Sequence, residues 1–110
     1  MPEEDFEAFW KKFLADHPSA LNRWAHVAAL VAGTSGVLIA MRRRSMRPLV
    51  VGIGAAAALA TLGHPIFQGD RPKNFGQPRL AARAFLRLCF RTVTGEAALE
   101  LARMAAHADA

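Results

Sequence analysis

The chain has 110 residues, 53% of them hydrophobic and only 8% aromatic, with 14 Lys and Arg against 9 Asp and Glu. This length suits one small domain, and the apolar content excludes a disordered chain. A single Cys excludes both an internal disulfide framework and a cysteine-ligated zinc finger.

Residues 3–15 carry Phe6, Phe9, Trp10 and Phe13 at three- and four-residue spacing, on one face of an amphipathic helix. Acidic residues open the segment and Lys11 and Lys12 come late in it, as the helix dipole favours. Such a helix is expected to lie in a membrane interface or to pack on the apolar segments that follow. An acidic, amphipathic start is not a cleavable signal peptide. His17-Pro18 ends the helix, because a residue before proline avoids helical dihedrals.

Residues 25–41 and 49–68 contain no Asp, Glu, Lys or Arg, and Arg42, Arg43, Arg44 and Arg47 lie between them. At about 1.5 Å per residue the two runs reach roughly 25 and 30 Å, the thickness of a bilayer's hydrocarbon core. The expected fold is all-α: an antiparallel transmembrane helical hairpin with flanking amphipathic helices, one membrane-embedded domain over residues 1–110. The competing reading, a buried hairpin of a soluble bundle, is disfavoured because soluble helices of this length carry a polar face. Basic residues stand at both ends of the hairpin, so they leave its orientation in an integral membrane setting open.

Residues 71–78 read as a loop, with two Pro and one Gly. Residues 79–93 read as a helix on which Arg79, Arg83, Arg87 and Arg91 form a stripe. Two readings of the stripe stand, a contact with anionic lipid headgroups and a solvated helix face. Leu80, Phe85, Leu88 and Cys89 fall largely elsewhere on the wheel, and a lone thiol there suits packing. Residues 96–108 form an Ala-rich helical tail. Nucleic acid is not the expected partner, since the arginines flank apolar spans and no aromatic residues interleave with them for base stacking.

His26 lies 19 residues before Ser45 and His64 lies 19 after it, so in an antiparallel hairpin turning at Ser45 the two come level. The stripe below His26 is Ala29, Gly33, Gly36 and Ala40, and that below His64 is Ala60, Ala56 and Gly52. Small residues let membrane helices approach closely, so these stripes, and the two imidazoles, are expected to face each other. His17 can reach the same mouth, because Pro18 lets the chain turn. Three converging imidazoles suit a metal, iron or zinc by ligand type. A histidine cluster without metal, independent interfacial histidines, and a haem held by His26 and His64 are the other readings. Asn22, four residues before His26, is placed to orient its ring, and Gln68 and Asp70 are placed to hydrogen-bond or ligate.

His17-Pro18, Asn22-Arg23 and His26 before one small-residue span, then Gly63-His64, Phe67 and Arg71-Pro72 after the other, resemble the 2-hydroxy fatty acid dioxygenase-like family of small multipass membrane proteins. The resemblance covers roughly residues 6 to 95. It implies an Fe²⁺-dependent dioxygenase that shortens a 2-hydroxy fatty acid by one carbon with O₂, with His17, His26 and His64 as metal-binding and catalytic residues. The family carries Glu where this chain has Gln68, and an amide cannot act as an anionic ligand. Either position 68 lies behind the ligands, or Asp70 substitutes for it, or the chemistry is altered. Arg23, Arg71 and Lys73 are candidates, by location at the mouth, to hold the substrate carboxylate. The expected surroundings are membrane lipid, with a fatty-acid substrate and O₂. The alternative function is a non-enzymatic membrane hairpin, a scaffold or subunit that associates, in one form as a homo-oligomer, through its small-residue faces.

Overall fold

A computed structural model describes residues 2–72 and 76–109. Five α-helices, and no strand among the described residues, follow one another: α1 (Pro2–Ala15), α2 (Ala20–Arg43), α3 (Arg47–Gly63), α4 (Pro78–Thr94) and α5 (Glu96–Asp109). A π-helical turn, His64–Gln68, extends α3.

Helix α2 begins five residues before the charge-free run, because Ser19 caps it: its hydroxyl accepts the Asn22 amide at 3.3 Å. It ends at Arg44, which adopts the left-handed conformation (φ 51°). Pro48 opens α3, where its missing N–H costs nothing. Together α2 and α3 form the hairpin, and α2 and the 22-residue span Arg47–Gln68, α3 with its π turn, are each long and apolar enough to cross a membrane.

The small stripes close this hairpin. A Cβ added to Gly36 would stand 2.8 Å from the Gly52 Cα, and one added to Gly33 would stand 3.5 Å from the Ala56 Cβ. These pairs centre at residue 44 to 44.5, so the stripes face each other as expected but in a register one or two residues from the one set by a turn at Ser45. Gly36 and Gly52 are therefore buried inside the chain and are not faces available to a partner. The large side chains point outward instead: Val31, Leu38, Val50, Val51 and Leu62 are all exposed.

A second core lies beside the hairpin. Phe6, Phe9, Trp10, Phe13 and Leu14 of α1 pack with Ala84, Leu88 and Ala97 of α4 and α5. The amphipathic face of α1 is thus covered by α4 and α5, whereas the expectation was a membrane interface or the hairpin itself. This packing also gives the arginine stripe partners within the chain, which neither expected reading included. The Arg83 guanidinium lies 4.0 Å from the Phe6 ring centre. Arg87 lies 4.6 Å from the same ring and donates to Glu7 at 2.9 Å. Arg91 lies 5.3 Å from the Trp10 ring and pairs with Glu100. Three of the four arginines are held by α1 and α5, because stacking on aromatic faces leaves a guanidinium's edges free for carboxylates. Helix α4 packs in turn against α2, which brings Cys89 Sγ to 3.5 Å from the His26 carbonyl.

Candidate metal centre

Each of the three histidines is placed by a different local device. His17 follows α1, and its Nδ1 lies 2.6 Å from the Phe13 carbonyl oxygen. His26 lies on α2 with Nδ1 2.8 Å from the Asn22 carbonyl oxygen. His64 opens the π turn that Pro65 imposes on the end of α3, since proline has no N–H for the α-helical ladder. The wider turn brings Gln68 beneath His64, and Gly69, at φ 72°, then lets the chain reverse toward Asp70. Nδ1 of His64 lies 3.2 Å from Asp70 Oδ1.

All three Nδ1 atoms face oxygen acceptors. Nδ1 therefore carries the proton on each ring, which leaves the Nε2 lone pairs for a ligand. The ring centres lie 4.7 Å (17 to 26), 4.8 Å (17 to 64) and 5.6 Å (26 to 64) apart. One donor atom from each histidine lies within 4.8 Å of the others. All three are buried, with exposures of 2–4%. Burial pushes His17 down to about 3, its hydrogen bond to Phe13 notwithstanding, so its ring is neutral at physiological pH. Three imidazole nitrogens within 4.8 Å of one another fit a divalent metal of the zinc or iron type. They leave no room for a haem between His26 and His64, because the His17 ring packs against both.

The outer residues divide in ways that spacing did not show. Asn22 supports His26 with its backbone carbonyl, not its amide. Its side chain instead donates to Gln68 Oε1 at 2.9 Å, and its Oδ1 lies against the bare backbone of Gly63. Gln68 Oε1 also accepts from the Ser19 amide, while Nε2 donates to the Asp16 carbonyl at 3.0 Å and approaches both Asp70 oxygens. Position 68 thus lies behind His64, on its Nδ1 side, and joins the α1–α2 corner to the π turn. Asp70 is the carboxylate there. Burial alone raises its pKa, but hydrogen bonds from Gln68 and His64 outweigh that and hold it below the usual carboxylate range.

Arg23 is not turned to the mouth. It is buried and donates to the His17 and Pro18 carbonyls at 3.0 and 2.8 Å, which fixes the bend between α1 and α2. Arg71 is exposed, next to Pro72 of the cavity wall, and Lys73 lies outside the described residues.

A cavity of about 340 Å³ opens beside the triad, lined among others by Phe13, Asp16, Ala60, Pro72 and Phe85. Asp16 and Phe85 were not among the site residues expected from the sequence. Asp16 is 6% exposed, and an acidic residue beside His17 was its only signal. Phe85 lies with its ring centre 5.7 Å from that of His26, although 59 positions separate them. Cys89, pushed up to about 11 by burial, stays a thiol and serves packing.

No curated protein and no solved structure matches the chain. The model of one family does, over residues 3–97, a stretch that holds all three histidines, both long apolar helices and the Gln68–Asp70 support. With most of its length matched, the chain belongs to the 2-hydroxy-palmitic acid dioxygenase Mpo1-like family.

Proposed function

We propose that this protein is a membrane-embedded, iron(II)-dependent dioxygenase that shortens 2-hydroxy fatty acids by one carbon. The observation that carries the reading is the triad: three buried imidazoles, each with one ring nitrogen within 4.8 Å of the others, beside a cavity. His17, His26 and His64 would hold the metal. When bound, iron(II) supplies the redox centre at which O₂ and the α-hydroxy acid are brought together.

The chain's own groups do the rest. The Phe13 and Asn22 carbonyls and the Asp70 carboxylate hold the three rings in one tautomer and orientation. Asp16 adds a negative group to the cavity wall, which favours a cation in the triad and offers an acceptor to the substrate hydroxyl. Phe13 and Phe85 keep bulk water from the reacting end. Arg71 remains the candidate cation for the substrate carboxylate, by its place beside Pro72. The outward-facing Val, Leu and Ile of the hairpin suit lipid contact, and a bilayer holds the acyl substrate at high local concentration.

The test is elemental analysis of detergent-purified protein after anaerobic Fe²⁺ loading, followed by O₂ uptake with 2-hydroxy fatty acids. One equivalent of iron and substrate-dependent uptake are expected. His17→Ala, His26→Ala and His64→Ala each lose the iron and retain helix content by circular dichroism. Full-length protein that retains neither iron nor uptake rejects the reading.

A further inference from the structure

Ala60 and Phe85 line the triad cavity, and the same two residues line a second, apolar cavity of about 460 Å³. That cavity is a groove between α2 and α3, walled by Leu30 and Val37 on one side and Ile53 on the other. Its floor is low because Gly33, Ala56 and Ala57 carry little or no side chain. Val37 in turn borders a third cavity, of about 270 Å³, among Met41, Met46 and Leu49 near the turn. An apolar trough therefore leaves the triad and follows the hairpin axis.

We propose that this trough is the binding site for the alkyl chain of the substrate, and that Ala60, Ala57 and Val37 set the chain length accepted. The proposal rests on the function proposed above and adds to it where the tail lies. Its length supports a single alkyl chain. From His26 to Val37 the helix advances by about 16 Å at about 1.5 Å per residue. Carbon–carbon bonds of about 1.5 Å at a tetrahedral angle advance an extended chain by about 1.25 Å per carbon, so about thirteen carbons beyond the one at the triad reach Val37. A 2-hydroxy acid of about fifteen carbons thus ends at Val37, and longer chains pass on toward Met41 and Met46. By the same measure a chain that stops level with Ala57 has about nine or ten carbons. Ala57 is exposed, so a larger side chain there fills the trough without entering the contact between α2 and α3.

The test is photolabelling of the full, iron-loaded protein in lipid nanodiscs, without O₂ so that no turnover occurs. The probes are 2-hydroxy acids of about ten and about fifteen carbons with a diazirine at the far end. Mass spectrometry is expected to find the longer probe on Val37 and Ile53 and the shorter one near Leu30 and Ala57. Excess unlabelled 2-hydroxy acid removes both labels. Ala57→Leu weakens binding of the longer acid more than tenfold and that of the shorter acid several-fold less, and leaves the iron content within twofold. Label spread over Leu38, Val51 and Leu62, side chains outside the trough, overturns the proposal whatever the turnover. Labels that move with chain length in a protein that consumes no O₂ uphold the trough and reject the activity instead.

Discussion

The Asp70 carboxylate lies 3.2 Å from Nδ1 of His64, and it decides which nitrogen of that ring carries the proton. Gln68 Nε2, a donor, stands at 3.3 Å from the same Nδ1. While Asp70 accepts from Nδ1–H, the ring keeps Nε2 free. Without it, the Gln68 amide becomes the nearest partner, Nδ1 turns acceptor, and the proton moves to Nε2, where it blocks a metal. Asp70→Ala is therefore expected to weaken metal binding by roughly 10–100-fold, the usual loss when an outer-shell partner of a ligating histidine is removed. Asp70→Asn retains an acceptor and loses less. Metal titration, with ¹⁵N shifts of the His64 ring as a record of the tautomer, separates this from general destabilisation.

Gln68 makes the complementary prediction. Its Nε2 donates to the Asp16 carbonyl and lies 3.1 and 3.2 Å from the two Asp70 oxygens. A carboxylate in its place would face an acceptor and a like charge. Gln68→Glu is expected to cost about 1–3 kcal/mol of stability near neutral pH, the range for leaving buried partners unsatisfied. The double variant Gln68→Glu with Asp70→Asn restores part of that loss, because the new amide at 70 donates to the new carboxylate at 68. Thermal unfolding of the four proteins of this cycle measures the coupling. Equal losses in the single and double variants would falsify this pairing.

The hairpin glycines are not equivalent, and that is measurable. A Cβ on Gly36 meets the Gly52 Cα and the Pro48 carbonyl, both at 2.8 Å, which are backbone atoms that cannot swing aside. Gly36→Ala should force the helices apart and cost about 1–3 kcal/mol. Gly54 has nothing within 4 Å of the added carbon. Gly54→Ala should stabilise the helix, by about 0.5–1 kcal/mol. Circular dichroism melts in one detergent rank the two. A loss at Gly54 as large as at Gly36 would count against the packing described.

The α1 core separates burial from charge. Trp10 is fully buried, and its Nε1 donates to Glu100 at 2.8 Å. Trp10→Ala is expected to cost about 3–5 kcal/mol and to free α1 from α4 and α5, seen as rapid amide exchange over residues 5–15. Arg87→Ala removes only a part-exposed pair with Glu7 and two ring contacts, and about 1 kcal/mol is expected. Since the stripe is engaged within the chain, Arg87→Ala should change binding to anionic vesicles less than twofold.

Much of the architecture was legible before any coordinate. Apolar run lengths marked two long helices, the arginines between them marked a turn, and equal spacing about Ser45 put His26 and His64 at one height. These properties follow from helical rise and from the absence of charge, both local quantities that a linear chain displays directly. The glycine and alanine stripes were equally readable, because the identity of a small residue is itself the reason two backbones can touch there.

Only the tertiary structure decided what covers each face and what each polar group bonds. Periodicity shows that Phe6, Trp10 and Arg87 lie on faces, but not that α1 and α4 supply each other's partners across about 80 residues of chain. Gln68 reaches Asp16, Ser19 and Asn22 through a π turn whose widening no residue spacing announces. Arg23 was placed by sequence near the mouth, yet the unsatisfied carbonyls of the His17-Pro18 bend claim it. The physical reason is the same in each case. Helix geometry is set by neighbours three and four residues away, whereas hydrogen-bond partners and aromatic contacts are assigned only once the whole chain has packed.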